Sequence, residues 1–309
     1  MVYYIIIDTF YKLLSQLAFH TANEYDISEK CYLVLLNVSY DALTSLSMRR
    51  RHTDKYMNKN QKEQRVEILE KIDSTNAYLK RIADDRPNGS AVLARVQSAG
   101  RGRFDRKWVS GKDEGACFSV LVKDGRLTAE TAPSLVFVCA LAVARALMRM
   151  TGNDGFRVKW PNDIVLNGKK LCGILCESAF AGDKIAWTVC GVGINLLTEN
   201  FPPELPYAGS VLTETGVKLT NVETVNAFLE EFDILTEFLF TRGLQPILDE
   251  ITPISATLGK MIRAENGDMS VTGQAVRFAG DGSLVVAVDG KEQIIRVGDV
   301  SVRGIMGYV

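Results

Sequence analysis

From Val66 onward, apolar and polar positions alternate in short bursts, and each burst predicts an element. Val66 and Ile68, continuing toward Ile72, read as a strand, and Asp73, Ser74, Thr75 and Asn76 offer helix N-caps ahead of AYLKRIA. AVLARVQ (91–97) and ACFSVLVK (116–123) read as strands, separated by the glycine-rich basic loop SAGRGRFDRKW (98–108). TAPSLVFVCALAVARALMRM (131–150) reads as a long helix, apolar on so much of its surface that it must lie across a sheet. FRVKW, a Pro-Asn-Asp turn, IVLNGKK, LCGILCES and KIAWTVCGVGIN follow as strands of that sheet. Residues 222–251 give amphipathic helices that end near Pro253. From Lys260 to Val309 the texture changes again. KMIRAE, GQAVRFA, SLVVAV, QIIRVG and VSVRG, broken by Gly and Asp turns, indicate a small separate β-barrel.

Ahead of this body, MVYYIIIDTFYKLLSQLAF is interrupted by Asp8 and Lys12 and falls short of the ~18 unbroken apolar residues that a membrane span needs. It also lacks the basic start and small-residue cleavage site of a signal peptide. Arg49, Arg50 and Arg51 precede a polar linker, MNKNQKEQ. The expected domains are therefore an N-terminal extension of unknown role at 1–65, a catalytic domain at 66–256 and the small barrel at 257–309. LAFHTANEYDISEKCYLVLLNVSYDAL does not supply the paired amphipathic helices of a winged helix, so DNA is not expected as a partner.

A net charge of −1 gives no global pull toward nucleic acid or membrane, so any anion site is local. Six cysteines without a CxxC pair suit reduced thiols in a cytoplasm and read as small core residues. Cys172 and Cys176 lie roughly 13 Å apart along a strand, too far to share one metal. Both histidines, His20 and His52, precede residue 66. The body therefore has no imidazole for a Ser-His-Asp triad, a Cys-His pair or the common zinc sites.

Cationic chemistry remains. In the loop from Gln97 to Trp108, Gly100 and Gly102 admit a ligand to the backbone while Arg101, Arg103, Arg106 and Lys107 supply charge. The alternative is a solvated basic turn. Lys159-Trp160-Pro161-Asn162-Asp163 fixes two polar residues after a proline, although an ordinary strand connection also explains it. In Gly168-Lys169-Lys170-Leu171-Cys172-Gly173 a lysine opens a strand beside a glycine that leaves room for a ligand. Gly191-Val192-Gly193-Ile194-Asn195 ends an apolar strand without matching a dinucleotide fingerprint, and no GxxxxGK[ST] occurs.

The ordered set DSTN, QSAGRGRFDRKW, KWPND, KLCGIL and GVGIN resembles the biotin protein ligase family over about residues 66–309. The resemblance implies an α+β fold, a central mixed β-sheet flanked by helices as in class II synthetases, with a C-terminal SH3-like β-barrel. It also implies the chemistry: biotin and ATP, with Mg2+, give biotinyl-5'-AMP, and biotin passes to a lysine of a biotin carboxyl carrier protein or domain of a biotin-dependent carboxylase. By the same resemblance Lys170 and Arg103 are catalytic. Ser74, Thr75, Gln97, Gly100, Arg101, Lys170 and Gly173 bind biotin. Arg103, Arg106, Trp108, Asn162 and Asn195 bind the adenylate. Asp163 orients Lys170 or a magnesium-bound water, Asp105 departs from the small residue usual in the family, and a homodimer is compatible with the reading. For Ser74 and Thr75 an N-cap role competes with ligand contact. The rivals are a lipoate ligase of the same fold and a bifunctional biotin-operon repressor.

Overall fold

The protein is described by a computed structural model over residues 65–309, apart from positions 267–268, 299, 305–306 and 309 and the side chains of 105, 266 and 269. The N-terminal extension, except for Arg65, lies outside the described residues.

Seven strands form one mixed sheet in the order β1-β2-β3-β7-β6-β5-β4. They are β1 (Val66–Leu69), β2 (Ala91–Ala94), β3 (Gly115–Val122), β4 (Arg157–Lys159), β5 (Asp163–Leu166), β6 (Lys169–Ala181) and β7 (Lys184–Asn195). Only β1 and β2 run parallel, because a helix connects them; the other neighbours are antiparallel. β2 stops at Ala94, short of the predicted Gln97, which makes a single parallel bridge to Ile72.

Strand alternation gives the sheet two different faces. On one, Phe118 and Val120 of β3, Cys172 and Ile174 of β6, and Cys190, Val192 and Ile194 of β7 pack with the long helix α2 (Leu135–Thr151) in the main core. On the other, α1 (Thr75–Arg81) sets Leu79 against Val92, Leu121 and Val189. The segment Ala132–Thr151 is long and apolar enough to cross a membrane, but 72% of its apolar window is buried. It is a core helix, covered outside by α4 (Asn221–Arg242), whose buried Glu231 takes Arg145 and Arg149 of α2 at 3.4 and 2.8 Å. Sequence periodicity did not predict the five-residue α3 (Val211–Thr215), which is closed by a Ser210/Thr213 capping box. α5 (Gln245–Ile251) completes the helices.

The C-terminal strands β8 (Met261–Asn266), β9 (Met269–Phe278), β10 (Leu284–Val288), β11 (Lys291–Ile295) and β12 (Ser301–Gly304) form a five-stranded antiparallel sheet, consistent with an SH3-like module. Trp160 docks it. This side chain is fully buried, its backbone N–H donates to Thr257 Oγ1 at 2.9 Å, and its indole donates to Gly282 O at 2.9 Å. Gly282 has φ +83°, and a Cβ there would overlap Phe137 of α2. Trp160, singled out in the sequence beside the polar turn, is therefore a packing residue between the two sheets.

Candidate active site

The face of the sheet toward α1 carries the polar residues. By strand period, Gly191, Gly193 and Asn195 of β7 point to this face, as do Cys117 and Ser119 of β3. At Gly191 a Cβ would overlap Asn76 Oδ1, and at Gly193 it would fall 2.5 Å from Trp108 Cε2. Two absent side chains thus leave room for an amide from α1 and an indole from the basic loop.

At the α1 end, Ser74 caps the helix by accepting from Ala77 N at 3.5 Å, so its capping role is realised. Thr75 donates to Gln97 Oε1 from its backbone (2.8 Å) and its hydroxyl (3.3 Å). The buried Ser119 hydroxyl lies 2.6 Å from Asn76 Oδ1 and 2.8 Å from Thr75 Oγ1. Asn76 Nδ2 donates to Glu177 Oε2 at 2.8 Å. Sequence reading gave Asn76, within DSTN, only a capping role and missed Ser119 and Glu177; for these two the one available signal was a serine inside the apolar run ACFSVLV.

The basic loop folds back on itself as a narrow hairpin. Arg101 and Lys107 form an antiparallel bridge, Trp108 N donates to Gly100 O at 2.9 Å, and Gly102 N donates to Arg106 O at 2.7 Å. A Cβ on Gly100 would overlap Trp108 O. At the tip, residues 103–105 make a 3-10 turn with Phe104 at φ 58°. Arg101 and Arg106 are exposed, and Arg106 stacks its guanidinium 5.6 Å from the Phe104 ring. Among the described residues the buried Trp108 Nε1 finds no oxygen or nitrogen acceptor and has only the Cys117 thiol beside it. A donor left with so weak an acceptor is costly in a finished core, but it suits a surface that a polar ligand completes.

Arg103, Asn162, Asp163 and Lys170 meet at the other end. Arg103 donates to Asn162 Oδ1 at 3.1 Å and to Val300 O at 3.0 Å, with a further bond to Gly298 O. Asn162 is itself fixed by donating to Ile174 O at 2.9 Å. Lys170 Nζ is 2.6 Å from Asp163 Oδ1. A β-bulge aims this lysine. Simple alternation would put Lys170 on the core face with Cys172, but the register shifts between Ile164 and Val165, and Leu171 and Cys172 are both buried in the core. Lys170 is thereby turned to the opposite face, beside Gly173, where a Cβ would stand 3.1 Å from the Trp108 ring and 3.3 Å from Lys170 Cε. Asn195 donates to Gly209 O at 3.0 Å, and Gly209 N donates to Lys170 O at 3.0 Å, so Asn195 tethers the segment that backs the lysine.

Electrostatics keep Asp163 ionised. Burial pushes its carboxyl upward, but Lys170, Lys159 and the Tyr308 hydroxyl together hold it below the ordinary carboxylate value. Burial brings the Lys159 ammonium down to about 8, with Asp163 opposing that shift. Lys159 donates to Val302 O at 2.8 Å, and Tyr308 donates to Asp163 Oδ2. Tyr308 was not expected in the site, and Lys159, singled out within KWPND, had been given no role of its own there. The sulfurs of Cys139, Cys176 and Cys190 lie within 4.8 Å of one another, on the core face away from the cradle.

This geometry coincides with sequence kinship. Residues 68–195 match the Biotin/lipoate A/B protein ligase family. The chain is 33% identical over 242 residues to the biotin--[acetyl-CoA-carboxylase] ligase of Paracoccus denitrificans, covering 77% of this chain and 100% of that protein. The chain belongs to the biotin protein ligase family. Another relative, the bifunctional ligase/repressor BirA of Escherichia coli, is 30% identical over 240 residues, covering 77% of this chain and 74% of that one. Among solved structures, the Aquifex aeolicus biotin protein ligase in complex with biotin and ATP superposes with a TM-score of 0.69 at 27% identity, covering 77% of this chain and 98% of that one. In this ligase fold Thr75, Gln97, Gly173, Trp108, Arg103, Asn162 and Lys170 gather around one face of the seven-stranded sheet, while Arg101 and Arg106 stand exposed on the loop beside it.

Proposed function

We propose that the chain activates biotin with ATP as biotinyl-5'-AMP and transfers the biotinyl group to a lysine of a carrier protein of a biotin-dependent carboxylase. The observation that carries this reading is the convergence of Arg103, Asn162 and the Lys170–Asp163 pair at one end of a cradle whose other end is lined by Thr75 and Gln97. Thr75, Gln97 and the backbone at Gly100, Arg101 and Gly173 bind the biotin ring system, with Ser74 fixing the helix that presents Thr75. A buried ureido group needs such partners. Arg103, Arg106, Trp108, Asn162 and Asn195 serve the adenylate, Asn195 through the segment it tethers.

In the first step a carboxylate oxygen of biotin attacks the α-phosphorus of ATP and pyrophosphate leaves with the bonding electrons. Two anions are forced together, so prepositioned cations lower the barrier by charge and orientation, and no imidazole base is needed. Lys170 bridges the carboxylate and the α-phosphate, and Arg103 holds the product. In the second step the carrier's neutral lysine amine attacks the acyl carbon, AMP departs and the amine loses a proton.

Magnesium is expected to travel with ATP. The oxygens of Asp163 face Lys170 and Tyr308 in a buried setting, which fits an orienting role and not direct ligation. We assign residues 66–256 to catalysis and 257–309 to the accessory barrel. The five free cysteines among the described residues accord with a reducing cytoplasm. The test is biotin-dependent exchange of pyrophosphate into ATP, followed by labelling of a carrier domain, with lipoate run in parallel. Exchange with lipoate and none with biotin would overturn the substrate assignment.

A further inference from the structure

Tyr308 reaches the site from beyond the last barrel strand. Its hydroxyl donates to Asp163 Oδ2, while the other oxygen of that carboxylate holds Lys170 at 2.6 Å. The ring is fixed on two sides. It stacks on Tyr207 with centroids 5.7 Å apart and planes at 26°, and the Lys159 ammonium stands 4.3 Å from its centroid. Tyr207 also accepts the backbone N–H of Lys170 at 2.6 Å, so the phenol and the lysine share one mount.

A carboxylate turns readily about its terminal torsion, which has a broad, roughly two-fold profile. Held by the lysine alone, Asp163 could follow the ammonium wherever it moved. With its second oxygen tied to a phenol that packing has already immobilised, it becomes a fixed post. We propose that Tyr308 is a positioning residue for adenylation: its hydroxyl fixes Asp163, and Asp163 in turn sets where Lys170 meets the substrates. The catalytic part of this inference rests on the ligase reading above; the bond itself does not.

The experiment uses the full chain as wild type, Tyr308→Phe, Asp163→Asn and the double variant. Tyr308→Phe keeps the ring, its stacking and its burial and removes one hydroxyl. Pyrophosphate exchange should show kcat falling about 10- to 100-fold, the range for losing a hydrogen bond to a charged group, with KM for biotin and ATP within about twofold. In the Asp163→Asn background the same change should cost less than about threefold, because the group it acts through is gone. An unaltered kcat, a loss confined to KM, or an equal loss in both backgrounds overturns the proposal. A parallel cycle in equilibrium urea unfolding reads the hydroxyl–carboxylate bond whatever the chain catalyses, and strict additivity there also overturns it. Wild type without biotin-dependent exchange would refute the ligase reading instead, leaving the bond to be decided by the unfolding cycle.

Discussion

Lys170→Met separates the charge of the proposed catalytic lysine from its packing. Its Nζ lies 2.6 Å from Asp163 Oδ1, with side-chain exposures of 29% and 8%. At an effective dielectric of about 20, unit charges so close attract by roughly 6 kcal/mol, most of which offsets the cost of withdrawing them from water. Stranding one member of a buried pair typically costs about 3–5 kcal/mol. Here Lys170 is partly solvated, and Asp163 keeps Lys159 and Tyr308, so a loss of about 1–3 kcal/mol is expected, or a fall in Tm of roughly 2–10 °C. The rate should suffer more, because a preorganised donor facing developing charge is worth about 10²–10³ in kcat. Urea unfolding and pyrophosphate exchange on the same preparations separate the two effects. Adding Asp163→Asn should restore much of the stability and none of the rate. A folded Lys170→Met variant exchanging at the wild-type rate would remove Lys170 from the mechanism, and a stability loss that Asp163→Asn leaves unrelieved would refute the account of a stranded charge.

Gly193→Ala should push Trp108 out of its seat, since the new methyl would fall 2.5 Å from the indole; a stability cost of about 1–3 kcal/mol, a raised KM for ATP and an altered tryptophan emission are expected. Lys159 titrates at about 8 when folded against 10.5 ordinarily. The unfolded chain therefore binds more protons between those values, and stability should rise with pH across that window. Urea midpoints measured at pH 7.5, 9 and 10 should show a rise that Lys159→Met abolishes. The hairpin from Gly100 to Trp108 is expected to tighten on ligand, so cleavage after its arginines and lysine by trypsin should slow when biotin and ATP are added together.

Much of this architecture is legible in the sequence, because alternation and apolar bursts report local conformation. The long core helix, the strand succession from Arg157 to Asn195 and the change of texture at Lys260 are of this kind. The order of the glycine-rich and cationic motifs carried the proposal for the site residues. What stayed hidden depends on contacts between distant segments. Tyr308 lies 145 positions from Asp163, and Ser119 lies 43 from Asn76, and neither has a local pattern announcing its partner. The assignment of Trp160 to packing needed the barrel to be in place, and α3 is too short for periodicity to register. The orientation of Lys170 could not be read from alternation, because a bulge reverses it.

That bulge connects the fold to the chemistry. A glycine in a strand interior forgoes packing and costs roughly 0.5–1 kcal/mol against alanine, yet β6 and β7 place Gly173, Gly191 and Gly193 on one face of adjoining strands. The loss makes sense as clearance: Asn76, the Trp108 indole and the Lys170 stem occupy the space where those side chains would stand. Had Lys170 followed the regular register it would point into the apolar core behind Cys172, and the clearance at Gly173 would serve no cation. Taking up Leu171 as a bulge keeps the ammonium over the low face, and Asp163, paired directly with Gly173 across β5 and β6, is then within reach to hold it. The bulge, the glycines and the carboxylate are thus three parts of one arrangement: deleting Leu171 would leave Lys170 next to Cys172 in a regular ladder and should keep adenylation, whereas inserting an alanine between Lys170 and Leu171 should turn the lysine to the core side and silence adenylation even though every proposed site residue would still be present in the chain.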